Sequence, residues 1–298
     1  MIHLGEGAAW ENILVEIHRR PAVGETMLIP AVAEPQLLWQ ISGHVFCEYR
    51  DLGGEWVKHH VEPGVLFLTT SAEPYELRWK ATNAEPIIVM HVAISLPLFA
   101  RAAKELFGPN AKIPRLQEFD AIRDTTILSF LEMLRKELTE QPAPSASFVQ
   151  GIAQSLATHL VRTYRDKETR RPHRATALPA FQLHRVLKLM EDSLAETINI
   201  GELAAAVKMS ESHFSRLFKG NTGFSPSQYL IRLRLAKAQE LLRETMKPMI
   251  EIGMDVGYTS PSHFAHVFRR ETGLTPHEYR ERTHGKVPTE HFSRIAIG

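Results

Sequence analysis

A two-domain α+β chain, β-rich in front and all-α behind, is what these 298 residues predict. Three observations predict it. Residues 8–95 read as short apolar or alternating runs punctuated by turn signals, the pattern of consecutive strands. After Pro97 the apolar period lengthens to that of helices. Near the C-terminus one stretch of about twenty residues occurs twice, and both copies read as helical. The length favours two domains and permits a substantial core in each.

The strand candidates are Ile13–Ile17, Leu37–Ile41, Val45–Tyr49, Trp56–His60, Val65–Leu68, Tyr75–Trp79 and Ile87–Ala93. Turn signals separate them: Pro35, Ser42-Gly43, Gly53-Gly54, Pro63-Gly64, Glu73-Pro74 and the stretch from Asn83 to Pro86. About seven strands at this spacing predict a sandwich or barrel. Leu98–Phe107 follows as a helix stopped by Gly108-Pro109. Ile122–Leu138 is a second, with Ile127, Leu128, Leu131, Leu134 and Leu138 on one stripe. Gln141-Pro-Ala-Pro144 breaks it, and Ser145 or Ser147 opens a third helix striped by Val149, Ile152, Leu156, Leu160 and Val161. Such stripes pack against the β layer or form a subunit interface. Asp166–Leu178 is polar and basic without apolar period, so it reads as a linker in which Arg170, Arg171 and Arg174 are available to phosphate. Phe181–Ala195 then opens the last domain.

That domain is built on the duplication. Ser210-Glu-Ser-His-Phe-Ser-Arg-Leu-Phe218 through Thr222-Gly223, Pro226 and Tyr229 returns, fifty residues on, as Ser260-Pro-Ser-His-Phe-Ala-His-Val-Phe268 through Thr272-Gly273, Pro276 and Tyr279. Upstream the offset is forty-nine, matching Leu203–Val207 to Ile252–Val256, so the second copy has one extra residue in its turn. Each copy reads as helix, short turn, helix. Asn199 with Glu202, then Ser210, are cap candidates in the first copy; Ser260 with Pro261 opens the second helix of the other. Phe214, Leu217 and Phe218 share one face, as do Phe264, Val267 and Phe268. Gly223 and Gly273 stop the helices, and Ser225-Pro-Ser-Gln228 and Thr275-Pro-His-Glu278 are capping boxes for the helices begun at Pro226 and Pro276. The helix begun at Pro226 runs through Leu242, about 30 Å at 1.5 Å per residue. One turn of DNA is about 34 Å, so the rod suits two readers in successive major grooves.

With both motifs, the connecting helix and the ending Phe268-Arg-Arg-Glu-Thr-Gly-Leu-Thr-Pro276-His-Glu-Tyr279-Arg280 in view, residues 179–283 resemble the AraC/XylS family of bacterial transcription regulators. The resemblance implies that Ser212, Ser215 and Arg216 approach bases in one groove and Ser262, His263 and His266 in the next. Lys219, Arg269 and Arg270 would lie nearer phosphates. His266 departs from the longer polar or Arg side chain common at its position. His213 and His263, at matching places, suit DNA contact and helix packing equally. Arg216 is the strongest base-reading candidate, because arginine pairs bidentately with guanine. The family likeness also raises the Pro63-Gly64 turn before Val65–Leu68, which resembles a turn of the cupin-like barrels found in many AraC-family sensor domains.

The expected organisation is therefore a cupin-like sensor and dimerisation barrel with packed or dimerising helices at 1–165, a linker at 166–178, a tandem helix-turn-helix domain at 179–285 and a tail at 286–298. The net charge of +1 conceals an asymmetry: residues 1–165 carry 15 Lys+Arg against 19 Asp+Glu, and residues 166–298 carry 20 against 15. A polyanion partner suits only the second half. The resemblance implies double-stranded promoter DNA, RNA polymerase, a small-molecule effector and a homodimer as partners. Trp39, Phe46, Trp56, Tyr75 and Trp79 are the candidates to line an apolar effector pocket.

Catalysis has no visible apparatus. No Ser-based, Cys-based or phosphate-cradling motif stands out, and no cofactor is called for. His59 and His60 are adjacent and face opposite sides of a strand, whereas a ligand pair needs a spacing of two. A metal enzyme on the same barrel, with His44, His60 and Glu48 as scattered ligands, is the alternative, as is a DNA-binding protein whose barrel takes no ligand. The single Cys47 cannot form an internal disulfide. No signal peptide is evident, and Ile87–Ala100, interrupted by His91 and Pro97, is too short to span a bilayer, so the cytoplasm is expected.

Overall fold

Alternate side chains of residues 87–94 enter two different cores, which gives each face of their sheet a partner. The computed structural model describes residues 1–70, 73–166, 177–196, 198–283 and 294–295. Strand β1 is His3–Leu4, β2 Ile13–Arg20, β3 Val23–Ile29, β4 Gln36–Ser42 and β5 Val45–Asp51. β6 is Val57–Val61, β7 Leu66–Thr69, β8 Tyr75–Ala81, β9 Ile87–Ile94, β10 Phe119–Ile122 and β11 Arg294–Ile295. In β2, Ile13, Val15 and Ile17 enter one apolar core, and in β9 Met90, Val92 and Ile94 join them. Ile87 and Val89 of β9 enter a second core with Met27, Ile29, Val45, Val61 and Trp79.

Those two cores lie on opposite faces of one sheet. Its order is β1-β2-β9-β4-β7-β10, and a second sheet runs β11-β3-β8-β5-β6. The expected barrel is thus a sandwich: among the described residues no ladder joins the two sheets. Corner turns explain the break. The chain passes between sheets at Pro21-Ala22, at Gly43 (φ 82°) and at Pro63-Gly64 (φ 84°), where ladder pairing stops. β3 is hidden in the sequence because Val23-Gly-Glu-Thr does not alternate. Gly24 is needed there, since a Cβ would collide with the Trp79 indole. β10, which pairs with β7, is not among the predicted strands, and its last residue, Ile122, is where the second helix is predicted to begin; that helix starts at Thr125.

Helices α1 (Leu96–Phe107), α2 (Thr125–Glu140) and α3 (Ala146–Thr163) cover the outer face of the six-stranded sheet. Gly108 ends α1 at φ 99°. Asp124 caps α2 by accepting from the Thr126 and Ile127 amides, and its other oxygen takes the Tyr164 hydroxyl at 2.7 Å. Ser145 caps α3. The stripes predicted for α2 and α3 are spent inside the domain: Ile127, Leu131, Leu134, Leu156 and Leu160 are buried in the same core as Phe99.

The last domain comprises α4 (Ala180–Asp192), α5 (Ile200–Ala206), α6 (Glu211–Thr222), α7 (Pro226–Glu244), α8 (Met249–Asp255), α9 (Pro261–Thr272) and α10 (Pro276–Thr283). It has two cores with α7 as the wall between them. Tyr229 and Leu233 complete the first with Phe214 and Phe218. Leu235, Ala238 and Leu242 complete the second with Phe264 and Phe268.

The two domains meet on a polar seam at the loop between β3 and β4. Asn221, in the last turn of α6, is fully buried there. Its amide donates to the carbonyls of Ala31 (2.7 Å) and Leu178 (3.1 Å) and accepts from the Leu178 amide at 2.8 Å. The Ala31 amide donates to the Asn221 carbonyl at 2.8 Å. Glu34 accepts from the Ala180 amide, the first of α4, at 2.8 Å. Beside it, His184 Nδ1 of α4 stands 3.0 Å from Glu16 Oε1. Burial opposes the charge on Glu16, yet the approach of His18 and His184 outweighs it and holds the carboxyl at about 2. The basic stretch with Arg170, Arg171 and Arg174 lies outside the described residues, whereas Leu178 at its end is fully buried in this seam.

Glu34 gives the seam a pH dependence. Burial, outweighing the hydrogen bond from Ala180, pushes its carboxyl up to about 7. The folded state then holds a proton that the unfolded chain, at about 4.5, has already lost. Stability therefore falls as pH rises from about 4.5 to about 7 and is flat above, a loss on the order of 3 kcal/mol. Glu34→Gln keeps a carbonyl for Ala180 and should abolish that slope. Urea midpoints at about pH 5 and about pH 8 measure it; equal slopes in both proteins would place the proton elsewhere.

Candidate nucleic-acid interface

Each motif turns between its helices on one left-handed residue. In the second copy this is Gly257 (φ 82°); in the first it is Lys208 (φ 57°), a side chain in a conformation that favours glycine. The forty-nine-residue match to Gly257 is the sequence signal for it. Asn199 caps α5 through the Gly201 amide. Ser260 caps α9 through the His263 amide, whereas Ser210, against expectation, makes no side-chain cap bond. Gly223 and Gly273 both end their helices at φ 76°, and both capping boxes form.

The buried stripes turn the opposite faces outward. Ser212, His213, Arg216 and Lys219 of α6 are exposed and Ser215 is half-buried. On α9, Ser262, His263, His266, Arg269 and Arg270 are exposed. These ten side chains therefore fall on two equivalent helical faces. Their readiness differs. Among the described residues no acid lies within ion-pair distance of Arg216, Lys219 or Arg269, while Arg270 is engaged by Glu271 at 2.7 Å. His263 packs edge-on against Tyr258, ring centroids 5.5 Å apart, which favours the packing side of its two readings; His213 has no such neighbour among the described residues.

The arginines of α7 hold the scaffold. Arg234 donates to the carbonyls of Leu194 (2.9 Å) and Glu196 (2.7 Å), tying the loop after α4 to the connecting helix. Arg232 lies 4.0 Å over the Phe224 ring. At nineteen residues, α7 is about 28 Å long, close to the pitch of DNA.

Between the two sheets of the first domain lies a cavity of about 310 Å³. Of the five aromatic candidates, Tyr75 and Trp79 line it. Trp39 is buried in the core beneath the helices. Phe46 is exposed beside His60, and Trp56 lies outside against the Arg50 and Arg78 guanidinium groups, at 4.4 and 4.2 Å. The aromatic pattern of the strands does not distinguish the two faces; the β5–β6 register does. It pairs Phe46 with His60 and Cys47 with His59, so the two histidines point to opposite sides as expected. Glu48 is held by Arg78 and Lys58, which takes it from the scattered ligand set. Cys47 lines the cavity, and burial pushes its thiol up to about 12, a poor nucleophile. Arg20, Gln36, Gln40 and His91, none of them candidates from sequence, also line it.

Residues 203–282 match the sequence profile of a helix-turn-helix domain. The regulator GbdR of Pseudomonas aeruginosa is 38% identical over 79 residues, 26% of this chain and 22% of that protein. A putative AraC-like transcription regulator of Streptomyces antibioticus is 30% identical over 134 residues, 44% of this chain and 43% of that one. A solved transcriptional regulator of the AraC-type DNA-binding class from Chromobacterium violaceum is 34% identical, covers 34% of this chain and 91% of its own, and superposes with a TM-score of 0.33. The chain thus spans less than half of the curated relatives. Among the described residues no helix is long and apolar enough to cross a membrane. On the duplicated motif, its profile match and these relatives, the chain belongs to the AraC family of transcription regulators.

Proposed function

We propose that this protein is a sequence-specific regulator of transcription that reads double-stranded promoter DNA with α6 and α9 and is controlled by a small molecule in its first domain. The observation that carries this is the pairing of two equivalent exposed helices on either side of one connecting helix of nearly a DNA pitch. Arg216, Ser212 and Ser215 read one groove, Ser262 and His266 the next, with His263 packed on Tyr258 at the edge of that face, and Lys219, Arg269 and Arg270 hold the backbone. Residues 1–165 serve as a cupin-like sensor, 179–285 as the reader. The family likeness extends the proposal to a homodimer that engages RNA polymerase in the cytoplasm.

Control needs a physical route from the cavity to the reader. Ile29 and Gln36 line the cavity, and the loop between them, Pro30–Pro35, holds Asn221 of α6 and the start of α4. A ligand that displaces either end of that loop acts directly on the first motif. At the position matching Asn221, the second motif has Glu271, half-exposed and paired with Arg270. Docking is therefore a property of the first motif alone, and the helix-turn-helix fold does not require it. The experiment that tests the function is a footprint: one protomer should protect about two turns of DNA on a single face. Protection confined to one major groove would overturn the tandem reading.

A further inference from the structure

The cavity between the sheets contains a guanidinium that, among the described residues, makes no ion pair with the protein. Arg20 ends β2 on the face that carries Glu16 and His18, and its guanidinium reaches inward among apolar walls. Its contacts are the Met27 sulfur at 4.0 Å and the Trp79 ring at 5.3 Å. Among the described residues no carboxylate comes within ion-pair distance. Glu16, the acid on its strand, favours its charge from a distance, but the Glu16 oxygens stand against His184 and His18, at 3.0 and 3.7 Å. Burial depresses the pKa of Arg20, yet an arginine does not give up its proton in a protein. A desolvated, unpaired guanidinium costs several kcal/mol, and its flat fork of donors matches a carboxylate.

The remaining lining narrows the ligand. Ile29, Leu77, Val89 and Trp79 offer an apolar body-site, and about 310 Å³ is at the small end of ligand pockets. His91, which also faces the cavity, is kept neutral because burial and the nearby His18 and Arg20 disfavour its charge. Asp51, Glu118 and Asp120 line the cavity too, but they are exposed. Glu118 accepts from the Thr70 amide and hydroxyl, and Asp120 from the Tyr49 hydroxyl. Acids at the rim with one cation inside exclude multiply charged anions and leave room for one negative charge at depth.

We propose that the cavity takes a small organic monocarboxylate, with its carboxylate on Arg20 and its apolar body against Ile29, Leu77, Val89 and Trp79. This deepens the proposal of effector control and rests on it. Trp79 beside the charge supplies a fluorescence signal, and calorimetry on the full chain supplies affinities. The probes are hexanoate and phenylacetate, each against its primary amide, which keeps shape and removes charge. In the wild type the acids should bind at least about tenfold tighter than the amides, about 1.4 kcal/mol. In Arg20→Gln that advantage should vanish while amide affinity stays the same. Without ligand, Arg20→Gln should melt no lower than wild type, because it removes a charge that the protein does not satisfy; the acids should raise the melting temperature of the wild type only.

Equal binding of acid and amide to the wild type would overturn the anionic class and leave a neutral-ligand sensor standing. So would an acid preference that survives Arg20→Gln, by placing the anion elsewhere. A marked loss of stability in the ligand-free variant would show that the protein itself satisfies Arg20, which also overturns the proposal. If none of the four probes binds the wild type, the proposal falls together with the effector reading on which it rests.

Discussion

Phe268→Ala should destabilise the second motif by about 3–5 kcal/mol, a larger effect than any substitution on the exposed faces of the reader. Phe268 is fully buried in the core that α7 shares with α8, α9 and α10. It touches Phe264 and Tyr279 edge-on, with centroids 5.7 and 5.5 Å away. Truncation removes both ring contacts and leaves a cavity that short helices cannot collapse around. The loss takes a large share of a total stability on the order of 5–15 kcal/mol and falls on the second motif. The first motif has its own core, with Phe214 and Phe218 on Tyr229, so it should survive. Urea denaturation followed by an α9 probe should show the loss, and the DNA footprint should shorten to one groove. A change below about 1 kcal/mol would mean that the two cores are not separate cooperative units.

The contrast between the two motifs also shows what a sequence makes legible. Duplication displays the reader twice over: caps, stop glycines, buried phenylalanines and exposed faces repeat, and the structure places them accordingly. Lys208 and Ser210 are the exceptions. The left-handed turn at Lys208 is visible only as the counterpart of Gly257, and the missing cap bond at Ser210 is not visible at all. The first domain is legible in its strand count but not in its closure. Corners at Pro21, Gly43 and Gly64 divert strands between two sheets, and turn signals alone do not say which sheet receives them.

Least legible is whatever depends on the two sheets or two domains meeting. Trp56 and Trp79 look alike in sequence, yet one lies against two arginines on the outer surface and the other faces the cavity. Arg20 reads as half of a basic Arg19-Arg20 pair at a strand end, and only the facing sheet makes it the charge in a pocket. Asn221 reads as a helix-end polar residue, and Leu178 as the end of a polar stretch. Their shared burial against Ala31 arises from contacts between residues some 190 positions apart, beyond any local periodicity.

Arg216→Ala should cost about 1–3 kcal/mol of DNA affinity and relax preference at one or two base pairs. Lys219→Ala should instead weaken all sequences alike and lower the salt slope by about one. Both side chains are exposed on α6, and among the described residues neither has an acidic partner, so neither substitution disturbs an ion pair within the protein. The difference comes from chemistry and position. Arg216 lies a turn closer to the start of the helix, where, on the proposed reading, its planar fork would meet base edges in the groove. Lys219 lies in the last turn, where a flexible point charge suits phosphate. Phe214 and Phe218 fix the helix from below, so losses in either variant report on DNA contact and not on folding. Competition over randomised sites at two salt concentrations separates the cases. Equal, sequence-blind losses in both variants would assign Arg216 to the backbone, and no loss in either would make this face ordinary solvated surface.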